Sequence, residues 1–167
     1  MNVRWLKKRG IYIMAAETVI RAKDIMAKKL ITVGPKETVQ EVARLLVEHN
    51  ISGVPVVDEA GKLLGIISEG DLLHKEVAPK LPNMLNILGA IIFYNGVKEY
   101  KTAFQKMLAS TAAEIMTKRV VSAAEDADIS EIGELMLEHH IKRVPVVREG
   151  ILVGIIGRND MMRLLIE

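Results

Sequence analysis

Residues 53–71 read GVPVVDEAGKLLGIISEGD, and residues 143–160 read RVPVVREGILVGIIGRND. Each stretch contains a Val-Pro-Val-Val run, a turn with glycine, a second apolar run and then an aspartate. Short β-branched runs joined by a tight glycine-containing turn are typical of a β-hairpin. The same features in the same order at two places indicate that the chain contains an internal duplication.

The duplication extends on both sides of these two hairpins. An offset of 90 positions places His49 on His139. The second copy then lacks one residue at the hairpin turn, so Asp71 corresponds to Asp160 at an offset of 89. Matches that keep their order over about 50 residues indicate a true repeat.

The sequence pattern of each copy predicts secondary-structure elements in the order β-α-β-β-α. Apolar residues at helical spacing follow a capping box, which pairs Thr38 with Glu41 in the first copy and Asp128 with Glu131 in the second. The predicted strands are residues 30–33, 54–57 and 63–67 in the first copy, and 120–123, 144–147 and 151–156 in the second. A last helix is expected to begin near Ser68 and near Gly157.

A unit of about 50 residues buries little surface by itself. We therefore expect one α/β (α+β) fold in which the two copies pack sheet to sheet with pseudo-twofold symmetry. The predicted boundaries are an N-terminal extension over residues 1–21, a first repeat over 22–75, an inter-repeat segment over 76–111 and a second repeat over 112–167.

The inter-repeat segment has no counterpart in the repeat and is predicted to be helical. Leu85, Leu88, Ile91 and Ile92 suggest an amphipathic helix, Asn95-Gly96 a turn, and residues 97–108 a second helix. Its helical periodicity favours packing against the repeats as additional core. The alternative is an interface with a partner or another subunit.

Composition excludes several kinds of site. The chain has 167 residues, no cysteine and a net charge of +2. Disulfides, thiolate metal sites and cysteine nucleophiles are therefore excluded, and no motif predicts a catalytic residue or a metal site. No uncharged stretch reaches the about 20 apolar residues of a membrane helix. A basic stripe and stacking aromatics are missing, which argues against nucleic acid as a partner. We expect a cytoplasmic protein.

The start of the last helix in each copy is the candidate site. Gly65 in the preceding strand would let a ligand or the backbone approach closely. Ser68 and Asp71 can form a capping box, or Asp71 can accept hydrogen bonds from two vicinal hydroxyls such as those of a ribose. Both interpretations stay open here. In the second copy Gly157 replaces the serine while Asp160 remains, which favours ligand binding.

These motifs resemble cystathionine-β-synthase (CBS) domains, which occur as tandem pairs called Bateman modules. The resemblance implies clefts between the copies that take AMP, ADP, ATP or S-adenosylmethionine. It also implies that Asp71 and Asp160 hold the ribose and that Ser68 assists. The residues expected to flank the adenine or the cleft edge are Thr32, Ile51, Val54, Pro55, Ser122, Ile141, Val144 and Pro145.

Cations beside the second Val-Pro-Val-Val run predict where phosphate would lie. Lys142, Arg143 and Arg158 occupy these places, whereas the first copy has Ser52, Gly53 and Glu69. Phosphate needs cations or N–H donors. We therefore expect the two sites to differ, with phosphate favoured in the second copy. The alternative is that these cations form part of a solvated surface.

The leading functional hypothesis is a regulatory sensor that binds an adenine nucleotide and is not an enzyme. The resemblance also implies a homodimer, a disc of four repeats, and a separate regulated protein. A ligand-free dimerisation scaffold is the second hypothesis, and the replacement of serine by Gly157 supports it. An enzyme acting on a nucleotide is the third, but the sequence supplies no nucleophile, metal site or base pair for it.

Overall fold

The computed structural model describes residues 3–8, 11–16, 19–87 and 90–166. In chain order the elements are β1 (Val3–Lys8), β2 (Ile11–Ala16), α1 (Ala22–Ile25), α2 (Val39–Glu48), β3 (Gly53–Val57), β4 (Leu63–Ser68), α3 (Glu69–Leu73), β5 (Asn83–Ile87), β6 (Ala90–Asn95), α4 (Val97–Leu108), α5 (Ala112–Ile115), β7 (Ala123–Ala124), α6 (Ile129–Glu138), β8 (Arg143–Arg148), β9 (Ile151–Gly157) and α7 (Arg158–Arg163).

The chain forms two compact units whose boundaries differ from those of the sequence repeats. The first-repeat unit consists of Ile31–Val120 and Gly150–Leu152. The second-repeat unit consists of Met1–Leu30, Val121–Glu149 and Val153–Glu167. The short helix that opens each repeat in sequence therefore lies in the unit of the other repeat.

Backbone hydrogen bonds hold each opening helix in its unit. At the start of α5, the Ala112 N–H donates to the Glu37 carbonyl at 2.8 Å, and Thr117 and Ile66 then form a bridge. At the start of α1, the Ala22 N–H donates to the Ala127 carbonyl at 2.9 Å. Matching the two copies shows which residues are equivalent but not which residues pack together. The exchange of opening helices between the units was therefore not predicted.

The first-repeat unit is built around the antiparallel hairpin of β3 and β4. Val33 continues this sheet by a parallel bridge to Val56. The register pairs Gly53 with Ser68, and this pairing places the start of α3 at the end of the hairpin. The core is aliphatic, as the low aromatic content requires, and it includes Val42, Val54, Val56, Ile67 and Ile115.

The second-repeat unit repeats this plan with a three-stranded sheet in the order β7-β8-β9. β7 is parallel to β8, with Ala123 opposite Val146. The core again consists of aliphatic side chains, among them Ile132, Val144, Val146 and Ile156. Apart from the first strand of the first copy, which is reduced to the Val33 bridge, both copies have the predicted order β-α-β-β-α.

The helix caps agree with the prediction in one copy and differ in the other. Thr38 and Glu41 form the expected capping box of α2. Asp128 caps α6 through the backbone N–H and hydroxyl of Ser130, at 2.9 and 2.7 Å. The predicted pairing of Asp128 with Glu131 is therefore wrong, because an aspartate at the cap reaches the donors two residues ahead.

The prediction of a helical inter-repeat segment is wrong for residues 83–95 and confirmed for α4. β5 and β6 form an antiparallel hairpin, with Leu85 opposite Ile92. The predicted helix also relied on Leu88, which lies outside the described residues. β-branched and aromatic residues favour strands, and the run from Ile91 to Tyr94 consists of such residues. This preference overrides the apparent helical spacing.

Packing of the inter-repeat segment as additional core is also wrong for the hairpin. None of the described residues of β5 and β6 is buried, and seven of their large apolar or aromatic side chains are about half exposed: Met84, Leu85, Ile87, Ile91, Ile92, Phe93 and Tyr94. No residue of α4, which is described throughout, is buried either. The alternative prediction, an interface with a partner or another subunit, therefore stays a prediction for this hairpin.

The N-terminal extension contains the antiparallel hairpin of β1 and β2. Within the part of the chain that the structure describes, every helix is too short or too polar to cross a membrane.

Candidate functional site

The candidate site of the first-repeat unit begins at the junction of β4 and α3. One carboxylate oxygen of Asp71, Oδ2, accepts the backbone N–H and the hydroxyl of Ser68, both at 2.7 Å. The Asp71 N–H donates back to the Ser68 hydroxyl at 3.4 Å. The capping box predicted from the sequence is therefore present, and it fixes the orientation of the carboxylate.

The other oxygen of Asp71, Oδ1, has two further contacts. The ammonium group of Lys106, on α4, forms an ion pair with it. The hydroxyl of Thr117 lies 3.4 Å from the same oxygen and 3.4 Å from the Lys106 ammonium. Asp71 is 8 % exposed and is the one buried charged residue among those that the structure describes. A buried carboxylate needs such partners.

The sequence analysis did not identify Lys106 as a site residue. It lies 35 positions after Asp71, in a segment without a repeat counterpart. The end of α4 is fixed near α3 by Lys75, whose ammonium donates to the carbonyls of Met107 and Ala109. No local motif could have indicated this contact, because it depends on how the inserted helix returns to the first repeat.

The surroundings of Asp71 keep its carboxyl group charged. Burial raises the pKa of Asp71, but the hydrogen bonds from Lys106 and Ser68 and the charge of Lys106 together outweigh burial. The pKa of Asp71 is therefore below its ordinary value. An ionised carboxylate is purely an acceptor, which is the state needed to bind hydroxyl groups.

Asp160 occupies the equivalent place in the second-repeat unit. Its Oδ2 accepts the backbone N–H of Gly157 at 2.8 Å, although Gly157 has no side chain to reciprocate. Its Oδ1 lies 3.9 Å from the guanidinium group of Arg163. Asp160 therefore keeps a capping role without the serine. Because capping alone accounts for an aspartate at this position, a ligand role of Asp160 depends on its second oxygen, Oδ1.

The strand glycines are explained by packing within each unit. A Cβ atom on Gly65 would lie 2.8 Å from Cγ of Met116, which follows α5. At the equivalent Gly154, a Cβ atom would lie 2.7 Å from Cγ of Met26, which follows α1. Each glycine thus makes room for a methionine that follows an opening helix. The close approach expected at Gly65 is accounted for by protein atoms.

The residues predicted to flank the adenine fall into two groups. Val54, Pro55, Val144 and Pro145 are buried within their strands. Thr32, Ile51, Ser122 and Ile141 are partly exposed and are able to offer surface to a ligand. Thr32 also borders a surface hollow of about 960 Å³, whose lining does not include Asp71 or Ser68. The adenine contacts stay a prediction.

A backbone contact places two of the predicted phosphate residues of the second copy, Lys142 and Arg158, next to each other. The backbone N–H of Arg158 donates to the Lys142 carbonyl at 3.0 Å, and its guanidinium donates to the Ile141 carbonyl at 3.3 Å. Arg143 follows directly as the first residue of β8. In the first copy the same backbone contact joins Glu69 to Ser52 at 3.2 Å. The predicted phosphate positions are therefore cationic in the second copy and not in the first. The site of the first copy receives its cation from Lys106 instead.

The described residues contain no group of three or more histidine, aspartate or glutamate side chains that could hold a metal ion.

Comparison with known proteins agrees with this architecture. The profile of the CBS domain matches residues 22–78 and 112–167. The uncharacterised protein MJ1426 of Methanocaldococcus jannaschii is 33 % identical over 156 residues, which cover 89 % of this chain and 92 % of that protein.

Several solved structures are similar over most of the chain, and two of them contain ligands with an adenosine part. The CBS domain pair of protein MJ0100, in complex with 5′-methylthioadenosine and S-adenosyl-L-methionine, has a TM-score of 0.65 and 31 % identity, covering 89 % of this chain and 97 % of that one. CBSX2 in complex with AMP has a TM-score of 0.68 and 25 % identity, covering 87 % and 96 %. The duplicated β-α-β-β-α units and both matches of the domain profile establish that this chain belongs to the CBS domain family and carries two CBS domains in tandem.

Proposed function

We propose that this chain is a regulatory module that binds an adenine nucleotide and has no catalytic role. The observation that carries the proposal is the shared arrangement of Asp71 and Asp160. Each uses one carboxylate oxygen to cap a helix, and its other oxygen faces a basic side chain, Lys106 or Arg163. The cap holds the carboxylate in one orientation, so the second oxygen is positioned before a ligand arrives.

A ribose suits these second oxygens because its two vicinal hydroxyls are both hydrogen-bond donors. An ionised carboxylate has about four acceptor positions and can receive two donors on one side. Charge-assisted hydrogen bonds of this kind are stronger than those between neutral groups. The lowered pKa of Asp71 supports this role at neutral pH.

The ligands of the similar structures support the adenosine part of the proposal. The structure of MJ0100 contains 5′-methylthioadenosine and S-adenosyl-L-methionine, and that of CBSX2 contains AMP. All three ligands contain a ribose with a free 2′,3′-diol. We propose AMP, ADP or ATP for this chain because Lys142, Arg143 and Arg158 lie together near Asp160 and supply cations for phosphate. S-adenosylmethionine is the alternative ligand.

Isothermal titration calorimetry with AMP, ADP, ATP and S-adenosylmethionine tests the proposal. We expect the unaltered chain to bind at least one nucleotide. Asp71→Asn and Asp160→Asn should each weaken or remove binding at their own site by at least tenfold, since each loses a charged acceptor. Glu76→Gln is the matched control, because Glu76 is an exposed acid shortly after α3 and occupies no predicted site position. Normal binding by the double aspartate variant would refute the proposal.

We also propose a homodimer that acts on a separate regulated protein in the cytoplasm. Val47 on α2 and Leu137 on α6 occupy equivalent positions and are 80 % and 73 % exposed. A large apolar side chain exposed at the same place in both copies favours a subunit contact. Light scattering should show a dimer that Val47→Glu with Leu137→Glu converts to monomer. A ligand-free scaffold would give the same dimer but no heat of nucleotide binding.

A further inference from the structure

We infer that Lys106 determines the charge of the ligand accepted at Asp71, so that this site prefers phosphate-bearing adenosines to uncharged ones. The inference rests on the proposed function, because it concerns the ligand of the same carboxylate. Lys106 lies on α4, outside both segments matched by the CBS domain profile. Neither the sequence motifs nor the family resemblance assigns it a role.

The acceptor positions of Asp71 are fully used in the structure. A carboxylate offers about four such positions. Oδ2 receives the N–H and the hydroxyl of Ser68, and Oδ1 faces the ammonium of Lys106 and the hydroxyl of Thr117. The Ser68 contacts form the helix cap and are part of the fold. A ribose diol that binds Asp71 must therefore replace Lys106 and Thr117 at Oδ1.

Replacement leaves the ammonium of Lys106 without its carboxylate contact. The side chains of Lys106 and Asp71 are 14 % and 11 % exposed, so water only partly compensates for the loss. A buried charge without a partner is costly. An uncharged nucleoside supplies no substitute, whereas a phosphate on the same ribose provides an anionic acceptor. The cost of displacing Lys106 is thus recovered only with an anionic ligand.

The second-repeat unit provides an internal contrast. There the residue equivalent to Thr117 is Ala27, which has no hydroxyl. Oδ1 of Asp160 has Arg163 at 3.9 Å, beyond hydrogen-bonding distance. Among the described residues, no lysine ammonium is hydrogen-bonded to Asp160. A ribose can therefore reach Asp160 without displacing one. We therefore expect displacement of a lysine to create a preference for phosphate at the Asp71 site and not at the Asp160 site.

The test compares AMP with adenosine, which differ only by the phosphate. Calorimetry in an Asp160→Asn background isolates the Asp71 site. Lys106→Met should weaken AMP binding and strengthen adenosine binding, so that the ratio of the two affinities falls by at least tenfold, the effect of losing one hydrogen bond to a charged group. Lys106→Arg should keep the preference. Lys101→Met is the matched control, because Lys101 is exposed on the same helix.

The outcomes separate the inference from the proposed function. If Lys106→Met changes both affinities by the same factor, Lys106 is merely structural and the inference is wrong. If the Asp160→Asn chain binds neither AMP nor adenosine, the proposed function fails at this site and the inference fails with it. Should Lys106→Met not fold, Lys106→Gln retains a donor for Asp71 without the charge, and the same fall in the affinity ratio is expected.

Discussion

Asp71 and Asp160 hold equivalent positions in the two repeats but have different surroundings. Asp71 is buried, caps α3 and pairs with Lys106, whereas Asp160 is partly exposed and caps α7 through one backbone N–H. The same residue type at the same place therefore contributes differently to stability. The difference arises from the inserted helix α4, which belongs to one repeat unit only.

Alanine substitution at these aspartates should separate the two cases. Asp71→Ala removes a cap and leaves Lys106 without its partner, so we expect a loss of about 3 kcal/mol in the free energy of unfolding. Asp160→Ala removes a cap alone and should cost about 1 kcal/mol. Urea denaturation measures both. Adding Lys106→Met to Asp71→Ala should restore part of the loss, and equal losses at the two aspartates would contradict this account.

The lowered pKa of Asp71 predicts a pH dependence with a definite sign. The folded state favours the charged carboxylate, so Asp71 stabilises the fold above its ordinary pKa of about 4. This contribution should be lost as the pH falls below about 4 towards the lower pKa of the folded state. The stability difference between the unaltered chain and Asp71→Asn, measured in urea from pH 7 to pH 3, should shrink on acidification. A constant difference would show that the ion pair has no such effect.

Residue-level prediction succeeded for two contacts that are local in sequence, although the equally local pairing of Asp128 with Glu131 was wrong. The Ser68–Asp71 and Thr38–Glu41 caps follow from residues three positions apart and are present. The ion pair with Lys106 joins residues 35 positions apart and has no counterpart in the second repeat. It could be found only from the folded arrangement of α4.

At the level of elements, the strand glycines and the methionines after the opening helices form matched pairs. Gly65→Val should lower the free energy of unfolding by about 1–3 kcal/mol, because the added carbons overlap the Met116 side chain. Met116→Ala should relieve part of that loss in the double variant. Thermal and urea denaturation of the single and double variants measure the coupling. Strictly additive losses would mean that Met116 does not fill the space above Gly65.

The exposed hairpin of β5 and β6 should contribute little to the stability of the chain. Replacing residues 83–95 with a short Gly-Ser linker should change the free energy of unfolding by about 0.5 kcal/mol or less, because none of the described hairpin residues is buried. The ends lie close together, with a Cβ atom on Gly96 3.7 Å from Cα of Pro82. Binding of a hydrophobic dye should fall. A large loss of stability would show that the hairpin covers the core.

Element prediction from the sequence was correct for the repeated parts and for α4 of the insertion, and it failed for β5 and β6. Because the pattern occurs twice, each hairpin was predicted independently from two stretches of sequence. Both predictions agree with the observed strands β3, β4, β8 and β9. The insertion occurs once, and its apolar residues fit both a helix and a strand. Spacing alone could not decide between them, because short apolar runs are ambiguous in period.

At the scale of the whole molecule, the duplication and the fold class could be predicted from the sequence, but the composition of the two units could not. Each unit contains the opening helix of the other repeat, held by hydrogen bonds such as that from Ala112 to Glu37. Repeat matching shows which residues are equivalent, and it carries no information about which copy they pack against. The first-repeat site reflects this exchange, because Thr117 belongs in sequence to the second repeat.

The central claim is that both aspartates hold the diol of a ribose. The most direct measurement is calorimetric titration with AMP and with 2′,3′-dideoxy-AMP, which lacks both hydroxyls and keeps the base and the phosphate. If Asp71 and Asp160 accept these hydroxyls, the dideoxy compound should bind at least tenfold more weakly, and Asp71→Asn with Asp160→Asn should abolish the difference. Equal affinity of the unaltered chain for the two compounds would contradict the account.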